Sequence, residues 1–593
     1  MKSWQYIWKL ARFRVRLYLL CGLFTSLLFY LFPLVPGLIA LQFFDALASH
    51  APDKQGLWIL IALLVAAELG RIAALFGAAI SEITLNMVAS ALIRKNILEH
   101  ILLYPKARAV PASSGEAISR FRNDVQAVVS FIRWTVDPLG QAAVIIVALI
   151  VLVRIDWFIT FTVFLPLLGV LALVNITGKR IEKYRKANQE SIGEVTDLLG
   201  EIFGAVQAVK VAGAEQRVVE YFHRVNETRR KATLKDILFS QGLNSIFTNA
   251  ANIGTGVILL LGAQSIRSGT FTVGDFALFV SYLTWLAKVT TMFGAFLTQY
   301  RQVGVSLERL IALLPGVPTS TLVKHSPVYL NGKLPELSIP QKTSLDHLDS
   351  LDVLELTYKY PESSKGIENI TLHIRRGNFT VITGRIGAGK TTLLRVLMGL
   401  LPKESGTICW NGINVDSIST FFVPPHSAYT PQVPRLFSET LKENILLGLP
   451  EHISDITSAL QAAILEPDVA GLDEGLDTRI GPRGVKLSGG QVQRTAAARM
   501  FVRKPELLVV DDLSSALDVV TEKALWDQLL VREDVTCLAV SHRRAALQRA
   551  DHIIVLKDGK VEAAGKLSEI LISSQEFQQL WWDDRDTPST TEM

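Results

Sequence analysis

The feature that most limits the fold is a series of apolar runs at about 17–47, 57–80, 137–154, 157–176, 240–267 and 274–299. About 20 residues of helix cross a bilayer, and a helix satisfies its own backbone polar groups in lipid. The runs therefore predict an all-α, six-helix transmembrane domain over residues 17–314. Between them, the stretches at about 81–136 and 177–239 are polar and helical in pattern. They hold most of this half's basic residues, among them Arg94, Lys95, Arg120, Arg122, Lys179, Arg180, Lys183 and Arg185. The positive-inside bias places both stretches in the cytoplasm, with both termini. Arg154-Ile155-Asp156 and Arg267-Ser268-Gly269-Thr270 become short outer turns. Residues 1–16 combine Trp4 and Trp8 with Lys9, Arg12, Arg14 and Arg16, which predicts an amphipathic helix on the anionic cytoplasmic face. A hydrophobic share of 49% agrees with a chain partly in lipid.

Periodicity fades between about 315 and 350, in Pro-Gly-Val-Pro, Lys-His-Ser-Pro and Pro-Gln-Lys-Thr-Ser, and this is a linker by composition. Strand–turn–helix alternation then runs over 351–583, a length one α/β core can support, before a polar tail at 584–593 expected to be disordered. Inside the α/β part, Phe379-Thr380-Val381-Ile382-Thr383 reads as a strand and Thr392-Leu393-Leu394-Arg395-Val396-Leu397 as a helix start. The residues joining them, Gly384, Arg385, Ile386, Gly387, Ala388, Gly389, Lys390 and Thr391, form a G-x-x-x-x-G-K-T loop. Its glycines let backbone N–H groups turn around an anion at the positive end of a helix. Lys390 would reach outer phosphates as a point charge, and the Thr391 hydroxyl would ligate Mg²⁺.

Downstream, the apolar strand Leu507-Leu508-Val509-Val510 ends in Asp511-Asp512, which supplies a carboxylate facing that Mg²⁺. Leu487-Ser488-Gly489-Gly490-Gln491 opens a further helix and makes a second anion cradle, one more than a single nucleotide needs. The net charge of +5 over 593 residues argues against a nucleic-acid partner. Cys21, Cys409 and Cys537 lack metal-ligand spacing and imply no disulfide framework. The N-terminal residues show neither a cleavable signal nor a transit-peptide composition, which leans towards a bacterial inner membrane.

These motifs, taken in order, resemble the ABC transporter family over essentially the whole chain. Leu487-Ser488-Gly489-Gly490-Gln491 is the family's most specific motif, and it accompanies the Walker pair. The resemblance implies that Tyr360 stacks on adenine, that Thr392 joins the phosphate loop in binding nucleotide, and that Gln432 contacts Mg²⁺ beside Thr391 and Asp511. It makes Ser515-Ala516-Leu517-Asp518 the D-loop and His542 the switch histidine on the γ-phosphate. It also implies a dimer in which each ATP lies between one chain's Walker motifs and the other chain's Ser488, Gly489, Gly490 and Gln491. The membrane half is similar to the exporter type, in Ser114–Val125 and in Ala208–Glu215. An exporter half-transporter using ATP and Mg²⁺, with a second half-transporter as partner, is therefore expected.

Two departures qualify this. The residue after the Walker B aspartate, normally a glutamate that polarises water, is Asp512. One methylene less retracts the carboxylate by roughly an ångström, and misplacement of that order can cost about a hundredfold in rate. That favours a heterodimer in which this chain carries the slow site; a homodimer, an importer and an ATP-gated regulator stay as alternatives. Gly481-Pro482-Arg483-Gly484 also lacks the usual glutamate before arginine. For the substrate, which could be a small molecule, lipid or peptide, the candidates are the intramembrane charges Glu68, Arg71 and Lys288. The bland alternative for Glu68 and Arg71 is an i,i+3 ion pair that satisfies itself.

Overall fold

In the computed structural model, the described residues are 2–48, 54–103, 114–267, 270–332, 342–361, 363, 365–451, 455–481, 485–513, 516–530 and 535–583. The chain divides into two compact units with the main boundary at Asn331/Gly332, and Leu102 and Leu103 are grouped with the second.

The first unit is helical. Its long polar stretches are continuations of the spanning helices: Lys54–Leu103 is one helix of 50 residues, Trp157–Gly204 one of 48 and Glu215–Arg267 one of 53. At 1.5 Å per residue each runs about 70–80 Å, well beyond a bilayer's thickness. Gln55–Leu103 and Glu116–Ile155 are, among the described residues, long and apolar enough to span.

The helix boundaries have local causes. Asp156 separates Asp137–Ile155 from Trp157–Gly204, and its Oδ1 accepts from the N–H groups of Phe158 and Ile159, both at 2.9 Å. Thr272 opens Val273–Ile311 with a reciprocal box, Thr272 Oγ1 accepting from Asp275 N and Asp275 Oδ2 from Thr272 N. Gly274 follows, and a Cβ there would sit 2.3 Å from Leu41 O. Only glycine permits that approach.

The N-terminal helix Ser3–Phe13 buries Tyr6, Ile7, Leu10 and Ala11 against Leu92, Ile132, Leu310 and Leu322. Its apolar face is thus used within the unit, while Trp4 and Trp8 stay exposed. Leu322 and Val323, in the 3₁₀ turn Thr319–Val323, are fully buried in that cluster. Asn96 Nδ2 donates to Leu322 O and Lys324 O, so this end of the compositional linker is held on the helical unit.

The second unit has two sheets. An antiparallel sheet contains β1 (Ser350–Lys359), β2 (Gly366–Arg375), β4 (Ser405–Trp410) and β5 (Ile413–Asn414), in the order β2-β1-β4-β5. The other contains β3 (Phe379–Thr383), β6 (Ser427–Thr430), β7 (Leu507–Asp511), β8 (Thr536–Val540), β9 (His552–Lys557) and β10 (Lys560–Gly565), in the order β10-β9-β3-β8-β7-β6. Strands β9, β3, β8, β7 and β6 are parallel. Every residue of β3, β7 and β8 is buried, as near-continuous apolar strands covered on both faces require.

Successive residues feed two cores. Ile382, Val509 and Leu538 pack with the helix Lys390–Leu397 and the antiparallel sheet, whereas Val381, Val510 and Ala539 pack with helices that include Gly489–Phe501. The phosphate-loop helix therefore lies in one layer and the second cradle's helix in another.

Candidate nucleotide site

Parallel strands gather loop residues at their carboxyl ends. Because β3, β8, β7 and β6 are consecutive neighbours, the phosphate loop after β3, Ser541-His542 after β8, Asp511-Asp512 at the end of β7 and Gln432 after β6 share one edge of the sheet. Residues separated by up to 158 positions in sequence are collected this way (Gly384 to His542).

The loop's backbone explains its glycines. Gly384, Gly387 and Gly389 have φ of 143°, 88° and 100°, in the left-handed region. At Gly384 a Cβ would also meet Leu556 O at 2.2 Å. Lys390 Nζ donates to Gly384 O at 2.6 Å and to Arg385 O at 2.9 Å, spanning the loop it follows. The Ile386 side chain is fully exposed, and Ala388 is buried against the antiparallel-sheet side. Arg385 is turned away to the C-terminal helix Gln575–Asp583, pairing with Glu576 at 2.5 Å and hydrogen-bonding Gln579.

Asp511 is 2% exposed. Its Oδ1 accepts from Thr391 Oγ1 at 3.2 Å and its Oδ2 from the Tyr429 hydroxyl at 3.4 Å. Burial raises its carboxyl above the ordinary value, against the Thr391 hydrogen bond. Burial likewise pushes Lys390 below its ordinary value, opposed by Asp511 and Asp512. Both shifts mean that the charged forms lack compensation. A polyphosphate on Lys390 and a divalent cation on the Thr391 and Asp511 oxygens would supply it. Hydroxyl, carboxylate and amide oxygens from Thr391, Asp511 and Gln432 suit Mg²⁺, so the donor set fits ATP with Mg²⁺.

Asp512 is 7% exposed with φ of 53°, a conformation aspartate tolerates better than most residues. Gln432 Nε2 donates to its Oδ2 at 3.3 Å, and among the described residues its Oδ1 has no hydrogen-bond partner. Tyr360 reaches Thr392 Oγ1 with its hydroxyl at 3.3 Å and meets Tyr358 edge-on. His542 is exposed.

The second cradle is built separately. Ser488 caps Gly489–Phe501: its Oγ accepts from Gln491 N, and Gln491 Oε1 accepts from Ser488 N at 2.8 Å. Asp468 fixes the helix start through Gln491 Nε2 at 2.9 Å and Arg494 at 2.7 Å. A Cβ on Gly490 would approach Ala516 O at 3.0 Å, and Gln493 Oε1 accepts from Ala516 N. The D-loop therefore rests on the cradle's helix. Asp518 accepts from Val520 N, Thr521 N and the Thr521 hydroxyl, so its carboxylate caps the next helix. Ser515 and Pro482-Arg483-Gly484 lie outside the described residues.

Two family models match the sequence, ABC transporter transmembrane region over residues 15–288 and ABC transporter over 367–515. The chain belongs to the ABC transporter family. It is an exporter-type half-transporter, a helical membrane domain fused to an α/β ATP-binding domain. Similar proteins include the ATP-dependent permease MDL1 of Candida albicans, 28% identical over 472 residues covering 77% of this chain and 66% of the permease, just under two thirds of its length. The ATP-dependent lipid A-core flippase of Thiobacillus denitrificans is 26% identical over 508 residues, 84% of this chain and 85% of the flippase. In fold, the half-transporter is similar to a bacterial Atm1-family ABC exporter with ATP bound, with a TM-score of 0.74 at 20% identity over 98% of this chain and 99% of that one.

In the half-transporter's membrane unit, Arg71 Nε donates to Glu68 Oε2 at 2.8 Å with both side chains over 40% exposed, the self-satisfied arrangement. The side chain of Lys288 lies outside the described residues. A denser polar cluster was missed by the sequence reading. Arg133 lies 3.3 Å from both Glu82 and Asp137, whose side chain is 2% exposed. Gln141, fully buried, donates to the Tyr30 hydroxyl at 3.1 Å. The signal was present as Arg133 and Asp137 at i,i+4, but it straddled the start of an apolar run.

Proposed function

We propose that the chain is the half of a heterodimeric ATP-driven exporter that carries the slow ATP site. The supporting observation is Asp512. Its shortened carboxylate is enclosed and engaged by Gln432, while the phosphate loop and the Ser488–Gln491 cradle keep their full residue sets.

In this reading Lys390 binds the outer phosphates, Tyr360 supports the adenine, and Thr391, Asp511 and Gln432 hold Mg²⁺. Mg²⁺, when bound, neutralises charge developing on the transferred phosphoryl group. His542 holds the γ-phosphate from the neighbouring strand end. Asp512 orients water poorly here, whereas Ser488, Gly489, Gly490 and Gln491 present their helix start to the nucleotide on the partner's Walker motifs. ATP closes the pair because the closed state binds it better than the open state, which slow hydrolysis does not prevent. Both long cytoplasmic helix pairs would carry that closure to the bilayer, moving a small molecule, lipid or peptide outward. The membrane would be a bacterial inner membrane with the ATP-binding domain in the cytoplasm. A flippase among the relatives makes an amphiphile the first substrate to try.

The test is ATP turnover of the purified chain alone and with whatever half-transporter co-purifies. The expected result is slow turnover alone, a gain with the partner, and a gain alone on Asp512→Glu. Full turnover by a homodimer, unchanged in Asp512→Glu, would refute the slow-site reading.

A further inference from the structure

Tyr429 stands three residues before Gln432 and has no role of its own in the site described above, yet it touches the site's central carboxylate. It lies on β6, whose parallel register with β7 places Tyr429 beside Val509 and Thr430 beside Val510. From there its hydroxyl donates to Asp511 Oδ2 at 3.4 Å. The other oxygen, Oδ1, meets the Thr391 hydroxyl at 3.2 Å. The two carboxylate oxygens are thus divided between two hydroxyls from different elements, one from the phosphate-loop helix and one from the sheet.

That division matters because the last torsion of an aspartate side chain is broad. With Asp511 only 2% exposed, contacts within the protein largely set that torsion. A cation that takes a lone pair of the Thr391 oxygen leaves its O–H in place, so Thr391 can still donate to Asp511 Oδ1. The Tyr429 hydroxyl holds the second oxygen, and with both oxygens engaged the carboxylate resists swinging. We propose that Tyr429 is a positioning residue for Mg²⁺: by holding Asp511 Oδ2, it presents Oδ1 to the metal on the phosphate-loop side. The proposal rests on Asp511 and Thr391 being the metal's protein ligands.

Partners behind a metal ligand typically set affinity by about 10–100-fold. The 3.4 Å contact is long for an O–H···O bond, which points to the lower end, about tenfold. The experiment measures binding of a fluorescent ATP analogue to the purified full chain, against free Mg²⁺ and in EDTA. Tyr429→Phe keeps the ring, and Tyr429→Leu removes it. Both should raise the Mg²⁺ needed for half-maximal metal-dependent binding by about tenfold while leaving affinity in EDTA unchanged. Wild-type Mg²⁺ dependence in Tyr429→Phe would overturn the proposal, and so would equal losses with and without Mg²⁺, which would mean that Tyr429 only packs. Asp511→Asn separates the two levels. If it abolishes Mg²⁺ dependence and Tyr429→Phe does not alter it, the positioning role alone fails. If Asp511→Asn changes nothing, the ligand assignment itself is wrong.

Discussion

Replacing Arg133 by methionine would remove the cation from a polar cluster inside the membrane unit while keeping a long, apolar stem. Arg133 lies 3.3 Å from Asp137 Oδ2 and 3.3 Å from Glu82 Oε2. Asp137 is the partner that suffers, because its side chain is 2% exposed against 24% for Glu82. Leaving a buried charge uncompensated costs about 3–5 kcal/mol. Arg133 itself is 36% exposed, so water already weakens the pair, and about 2–3 kcal/mol is the better expectation. At roughly 2–4 °C per kcal/mol, the melting temperature of the purified protein should fall by about 4–12 °C. Asp137→Leu in the Arg133→Met background removes the stranded carboxylate and should recover most of that loss, a coupling that a double-mutant cycle reads directly. An unchanged melting temperature in the single variant, or a double variant no better than the single, would refute the reasoning.

Ser488→Ala removes the hydroxyl that accepts from Gln491 N and should cost about 1 kcal/mol at the start of the cradle's helix. It should lower turnover of the assembled transporter while nucleotide binding to this chain's own phosphate loop stays unchanged, which equilibrium binding on the isolated chain checks. Gly384→Ala would force a Cβ to 2.2 Å from Leu556 O at φ of 143°. It should abolish nucleotide binding, whereas Ala388→Gly, which removes a methyl without a clash, should retain it within about a few-fold on the same binding assay.

How much of this was readable in advance follows from the range of each signal. The spanning helices announced themselves through composition alone, since about 20 apolar residues suffice. What composition did not convey was that Lys54–Leu103 and Glu215–Arg267 continue unbroken from apolar to polar sequence, because helix periodicity is unaffected by which solvent surrounds it. The phosphate loop is a contiguous backbone device, so Gly384, Gly387 and Gly389 stand out one after another in sequence. Tyr429 and the Glu82–Arg133–Asp137 cluster do not, because strand register and helix packing create their contacts across long separations. Thr319–Val323 looked like linker for a related reason: Pro and Gly punctuate a chain whether or not its apolar residues later find a core.

The central claim is that nucleotide held by this phosphate loop drives the helical unit, and Lys390→Ala tests it most directly. Nucleotide affinity of the full chain would be measured together with an ATP-dependent conformational signal from labels on the membrane helices. Loss of a charge-assisted contact worth about 1.5–3 kcal/mol predicts about 10–150-fold weaker binding, and no conformational response at ATP concentrations that saturate the wild type. Unchanged affinity and an undiminished response would contradict the account.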